Sequence, residues 1–163
     1  MNRGLHFSAL AALVLLAGSA CSDDTGPSDD DDFEASLTGA AERPTPVTTT
    51  ATGTSTVTID DAAQSFTVNV TIGGTGVVDL TMAHIHVGDA NTAGPIAVNL
   101  LATPPATGTF TGALVNGSFT TIAPASGETF ATLAAKMRAG NTYINVHNAV
   151  NTGGHIRGQL VAQ

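Results

Sequence analysis

"QSFTVNVTIGG", residues 64–74, alternates without a break: Phe66, Val68 and Val70 fall on one side, and Thr67, Asn69 and Thr71 on the other. Successive side chains of a pleated strand point to opposite faces, so this period of two predicts a strand with one buried face. The signal recurs along the chain. "FEASLTG" (33–39), "GTSTVTID" (53–60), "VVDLTMAHIHVG" (77–88), "PIAVNLL" (95–101), "TYINVHN" (142–148) and "GHIRGQLVA" (154–162) read as strands, separated by turn-forming Gly, Pro, Asn and Asp. "GTFTGALVNGSFTTI" (108–122) reads as a hairpin turning at Asn116-Gly117, because Asn-Gly suits a tight two-residue turn. One segment departs from the pattern. "GETFATLAAKMRAG" (127–140) sets Phe130, Leu133, Ala134 and Met137 at helical spacing, with Gly140 as a natural stop. The expected fold is all-β: an antiparallel Greek-key or immunoglobulin-like β-sandwich or barrel with one short helix.

Composition narrows the function classes. The 163 residues suffice for one domain with a real core. The net charge of −8 excludes a nucleic-acid binder, which needs a basic patch. Six of the thirteen acidic residues lie in "SDDTGPSDDDD" (22–32), whereas from Phe33 onward seven acids face four bases. The acidic run has nothing apolar to bury, and reads as a solvated tether.

"MNRGLHFSALAALVLLAGSAC" has the layout of a bacterial secretory signal: a positive Arg3, an apolar run from Leu10 to Ala17, then small residues. The run is too short to span a bilayer as a helix. Gly18, Ser19 and Ala20 precede Cys21, the sole cysteine, so residues 1–20 resemble a lipoprotein signal with Cys21 as the lipidated mature N-terminus. Gly18 stands where such signals usually carry an aliphatic residue, and the alternative is plain secretion after Ala20. A lone cysteine in an exported chain has no intramolecular disulfide partner, which favours lipidation. The expected organisation is a signal peptide over 1–20, a lipidated tether over 21–32 and one domain over 33–163. That domain would sit at the cell envelope, facing the periplasm or the surface, and meet the membrane only through its lipid.

In "MAHIHVGDANTAG" (82–94), His84 and His86 share a strand face opposite the apolar row Ala83, Ile85 and Val87. In "TYINVHN", His147 shares a face with Tyr143 and Asn145, opposite Ile144 and Val146. All three histidines are therefore expected on the outer side of the sheet, where they converge if their strands are neighbours. Three imidazoles with an open fourth position suit one Cu or Zn ion. His155, after "NTGG", is either a fourth ligand or a loop-end residue. Arg157 either pairs with a carboxylate or faces solvent. No nucleophile elbow is present, and Asp60-Asp61 sits where a turn wants Asp for backbone reasons.

"MAHIHVGDANTAGPIAVNL" and, some fifty residues on, "MRAGNTYINVHNAVNTGGHIRGQLVA" resemble the two hallmarks of the chordin-type domain, CHRD. The matching residues are Ala83, His84, Ile85, His86 and Gly88, then Gly140, Tyr143, Asn145, Val146, His147, Gly153, Gly154, Ile156, Arg157, Gly158, Gln159 and Leu160. His155 departs from the pattern, standing where the family usually has Glu. The resemblance covers residues 33 to 162 and implies an extracellular immunoglobulin-like sandwich or barrel with no catalytic residues to carry over. It implies a non-enzymatic binding or adhesion module whose ligand lies in the envelope or outside the cell. His84, His86 and His147 also resemble the copper ligands of copper/zinc superoxide dismutase. The bridging-histidine loop, zinc ligands and disulfide of that family are missing, so this likeness implies a single-metal site and not dismutase activity.

Lipidation has a direct test. We expect mature protein to carry an acyl group on Cys21 and to partition into detergent, and Cys21→Ala to be released soluble or to remain uncleaved. Wild-type protein that is fully soluble and unmodified would end the lipoprotein reading.

Overall fold

The structure is a computed structural model that describes Met1 and residues 31–101, 103–105 and 107–163. Residues 2–30, which hold the expected signal peptide, Cys21 and most of the expected tether, lie outside the described residues. Nine strands follow: β1 (Asp32–Thr38), β2 (Ala51–Asp60), β3 (Ser65–Val78), β4 (Leu80–Val87), β5 (Ile96–Asn99), β6 (Thr109–Phe119), β7 (Thr142–Asn148), β8 (Ile156–Gln159) and β9 (Val161–Ala162). One helix, α1 (Phe130–Arg138), joins β6 to β7. The strands form a single sheet in the order β5-β4-β7-β8-β1-β2-β3-β6, with β9 beside β1. The sheet is all antiparallel and curls into a nearly closed barrel. Its seam lies between the terminal strands β5 and β6, where Ala123 N–H donates to Ala97 O at 2.7 Å. Closure of this kind hides the unpaired edges that an open sheet leaves exposed.

The alternation in 64–74 places its apolar row as expected. Phe66, Val68, Val70 and Ile72 are buried, together with Phe33, Leu37, Val57, Ile85, Ile144, Val146 and Ile156. Helix α1 adds Leu133, Ala134 and Met137 to this core, and Phe130 sets its ring 4.9 Å from that of Phe66. Thr129 caps the helix by accepting from Thr132 N–H at 3.2 Å, and Gly140 follows in the left-handed conformation with φ 71°.

Two sequence expectations about strands are corrected. Residues 108–122 contain no hairpin, because β6 runs through Asn116-Gly117 without turning. Asn116 pairs with Asn69 and Gly117 with Val68, so the long β3 supplies a ladder that outweighs the local turn preference. The run 77–88 is likewise not one strand. Val77 and Val78 end β3, and Asp79, at φ 48°, bends the chain toward the opposite part of the sheet, where β4 begins. Asp79 is held there by Gly108 N–H, which donates to its carboxylate at 2.8 Å, and by Ala149 N–H, which donates to its carbonyl at 3.0 Å.

The boundary of the tether also moves. Asp32 opens β1 opposite Thr58, and Asp31 accepts from Arg138 at the end of α1, which also reaches Asp61 at 2.8 Å. The last two aspartates of the acidic run therefore belong to the domain. We expect deletion of residues 22–30 to leave the thermal midpoint unchanged, and Phe66→Ala to destabilise by about 3–5 kcal/mol through the cavity it opens. Thermal melting checks the first and chemical denaturation the second.

Candidate metal centre

Strands β4 and β7 are direct neighbours, paired Met82 with His147, His84 with Asn145 and His86 with Tyr143. This register puts His147 diagonally beside His84, with ring centroids 4.8 Å apart, and brings His86 within 5.8 Å of His147. The convergence expected from face-sharing is therefore present. The expected outer position is not: His84, His86 and His147 are only 4%, 7% and 4% exposed. They face away from the apolar core, as Ala83, Ile85, Ile144 and Val146 face into it. Two loops then fold back over that second face.

Residues 88–95 cover His86, and residues 149–155 cover His147. His86 Nδ1 lies 2.9 Å from Gly94 O, and His147 Nδ1 lies 3.0 Å from Thr152 O. A carbonyl oxygen only accepts, so in both rings Nδ1 carries the proton and Nε2 is left as a bare lone pair. The close approach demands glycine at two places. A Cβ at Gly94 would run into Val87 O, and one at Gly154, with φ 143°, into the Glu42 carboxylate and the Asn145 amide.

One of these two lone pairs has nothing to bond. His86 Nε2 is buried without a partner. His147 Nε2 meets only His84 Nδ1, at 3.1 Å. One nitrogen from each of the three rings can be chosen so that all lie within 4.8 Å of one another. An ion held at about 2.1 Å by three nitrogens needs them roughly 3.6 Å apart, so binding would draw the rings together by about 1 Å. Burial and mutual repulsion keep the imidazoles neutral. Desolvation, followed by His147 and His86, lowers His84 to about 4. Desolvation outweighs the Gly94 hydrogen bond and, with His147 and Arg157, lowers His86 to about 4. His147 is lowered by burial against the opposing Thr152 bond. Neutral imidazole is the form that ligates.

Around the rings lies a buried polar layer that fixes the covering loops. Tyr143 stacks on His86 with centroids 4.9 Å apart and donor Gly94 N–H reaches its hydroxyl at 3.0 Å. Arg157 is neither carboxylate-paired nor solvent-facing. It is 2% exposed, its guanidinium 3.4 Å from the Tyr143 ring centroid, donating to Thr92 O and Asp89 O. Gln159 donates to Gly88 O at 3.0 Å. His155 stands apart from the cluster, its ring engaged by Thr49 and Asn151. Glu42 escaped the sequence reading. It follows a 3-10 turn at Gly39–Ala41, is 2% exposed, and has one oxygen 3.5 Å from the Asn145 amide and the other without a partner. Its only sequence signal is a single acid between two alanines and Arg43. A cleft of about 780 Å³ lined by Glu42, Val47, Thr152 and His155 borders this layer at Glu42, not at the three histidines.

A family model described as the CHRD domain matches residues 33–160, and the chain belongs to that family. No curated protein and no solved structure matches the chain, so the likeness to superoxide dismutase rests on the histidine pattern alone. The match takes in both histidine strands, Glu42 and Arg157, and thus every residue of the buried polar layer.

The pKa shifts set the pH dependence of stability. His84 and His86 fall from 6.5 to about 4, so their contribution is complete above 6.5 and is lost as the pH falls toward 4. Glu42 is raised by desolvation from 4.5 to about 7, so its contribution is complete below 4.5 and is lost as the pH rises through 7. We expect the metal-free domain to lose thermal stability between pH 6.5 and 4. Glu42→Gln should stabilise it more at pH 8 than at pH 5, because only the ionised carboxylate is costly to bury. Melting curves across this range read both effects.

Proposed function

We propose that this chain is a lipid-anchored CHRD binding module of the bacterial cell envelope, and that the ligand its site is built for is one transition-metal ion held by His84, His86 and His147. The observation that carries the reading is the orphaned Nε2 of His86, buried beside the other two imidazoles with its Nδ1 proton committed to Gly94 O. A buried acceptor without a partner costs about 1–3 kcal/mol. A structural histidine network would satisfy that atom, whereas a ligand set leaves it for the ion. The backbone carbonyls at Gly94 and Thr152 do what outer-sphere groups do in metal sites: they fix the tautomer and hold the ring in place.

In this reading the module works by binding, at a site that lies beneath two loops. Among the described residues no helix is long and apolar enough to cross a membrane.

The test is titration of untagged protein, stripped of metal, with copper and zinc. One ion should bind per chain, and the affinity should fall at least about 100-fold in His86→Ala and in His147→Ala, with both variants folded by circular dichroism. His155→Ala should bind as wild type. Equal affinity in wild type and both ligand variants would show that the histidines are structural.

A further inference from the structure

Resting on the metal reading, the charge around the three histidines points to which ion they take. We propose that the site is selective for a monovalent ion, copper(I), over divalent zinc. The ligand set is three neutral imidazoles, and among the described residues no thiolate or carboxylate joins the cluster. An ion entering it keeps its full charge, in a place removed from water.

Two further groups set the local field. Arg157 is fixed on β8, with Tyr143 on the strand between it and His86, and its guanidinium is anchored by the Asp89 and Thr92 carbonyls. It cannot swing away, and only the Tyr143 ring, stacked on His86, stands between its charge and that imidazole. The buried carboxyl of the layer, Glu42, contacts Asn145 rather than any of the histidines, and desolvation favours its neutral form. Asp89 and Arg43, which also act on the guanidinium, carry opposite charges and offset each other, so the surroundings are positive or, with Glu42 ionised, neutral.

The cost of burying an ion rises with the square of its charge, so a divalent ion pays about four times what a monovalent one does. Zinc sites commonly offset this with thiolates or carboxylates and complete a tetrahedron. Here a dication would need to bring its own anion into a space already covered by residues 88–95 and 149–155. Copper(I) needs neither, since three nitrogens in a trigonal arrangement complete its coordination. The Arg157 charge widens the gap further, because it repels a dication twice as strongly as a monocation.

The experiment uses the full chain, untagged, in two competition titrations. Copper(I) is added anaerobically against bicinchoninate, and zinc(II) against a colorimetric zinc chelator. Copper(I) should bind at least about 100-fold more tightly than zinc(II). Arg157→Gln, which removes the charge, should tighten zinc(II) binding about tenfold relative to Arg157→Lys, which keeps it. The wild-type ratio tests the proposal even if neither Arg157 variant folds. Histidine-dependent zinc binding as tight as that of copper(I) would overturn the selectivity and leave the metal site standing. Binding of neither ion would overturn both.

Discussion

Strand β7 is buried on both faces, and the rest of the molecule is arranged around that constraint. All seven of its residues, Thr142 to Asn148, are buried. On one side Ile144 and Val146 enter the apolar core; on the other Tyr143, Asn145 and His147 enter a second, polar layer. An antiparallel strand normally leaves one face to water. When it does not, every polar atom on the second face must find a partner within the protein or cost free energy. Strands β4 and β8 flank β7 and add His84, His86 and Arg157 to the same layer.

The covering loops are the means by which the layer is satisfied. Residues 88–95 are held at Gly88 by Gln159, at Asp89 and Thr92 by Arg157, and at Gly94 by both Tyr143 and His86. Residues 149–155 are held by Thr152 O on His147 and by His155 N–H, which donates to Val146 O at 2.8 Å. Each loop thus uses its backbone polar groups to pair the side chains it buries. Among the described residues the buried side-chain atoms left without a partner include His86 Nε2, Gln159 Oε1 and, beside each other, Glu42 Oε1 and Asn145 Oδ1. Each such atom carries the cost of a buried polar group that its surroundings do not pair.

The two faces of these strands are built differently. The apolar core, from Phe33 and Phe66 to Met137, is one buried cluster on the inner face. The layer in turn takes its precision from β4 and β7, whose register is fixed by the core residues Ala83, Ile85, Ile144 and Val146 on their other face. A one-residue slip of either strand would send its histidines into the core and its apolar row outward. Fixed register is therefore what lets His84 and His147, sixty-three positions apart, meet at 3.1 Å.

Period-two patterning was sufficient to place the strand faces, because alternation is a local property: Phe66, Val68 and Val70 turned inward as read, and α1 buried Leu133, Ala134 and Met137 at their helical spacing. Sharing a face also marked His84, His86 and His147 as one group, and the paired motifs around them marked the family. Local signals failed where a distant segment competed. Asn116-Gly117 has the chemistry of a turn but lies straight because β3 pairs with it, and 77–88 bends at Asp79 because Gly108 and Ala149 hold it. The same limit explains why the histidines were expected at the surface. Alternation tells which residues leave the core, and says nothing about what covers them. Only the tertiary structure decided that the second face is buried too, since the covering depends on Arg157, Tyr143 and Gln159 reaching backbone carbonyls and amides far away in the chain. Burial of Glu42 beside Asn145 is likewise a contact across more than a hundred residues, and no pattern within either segment encodes it.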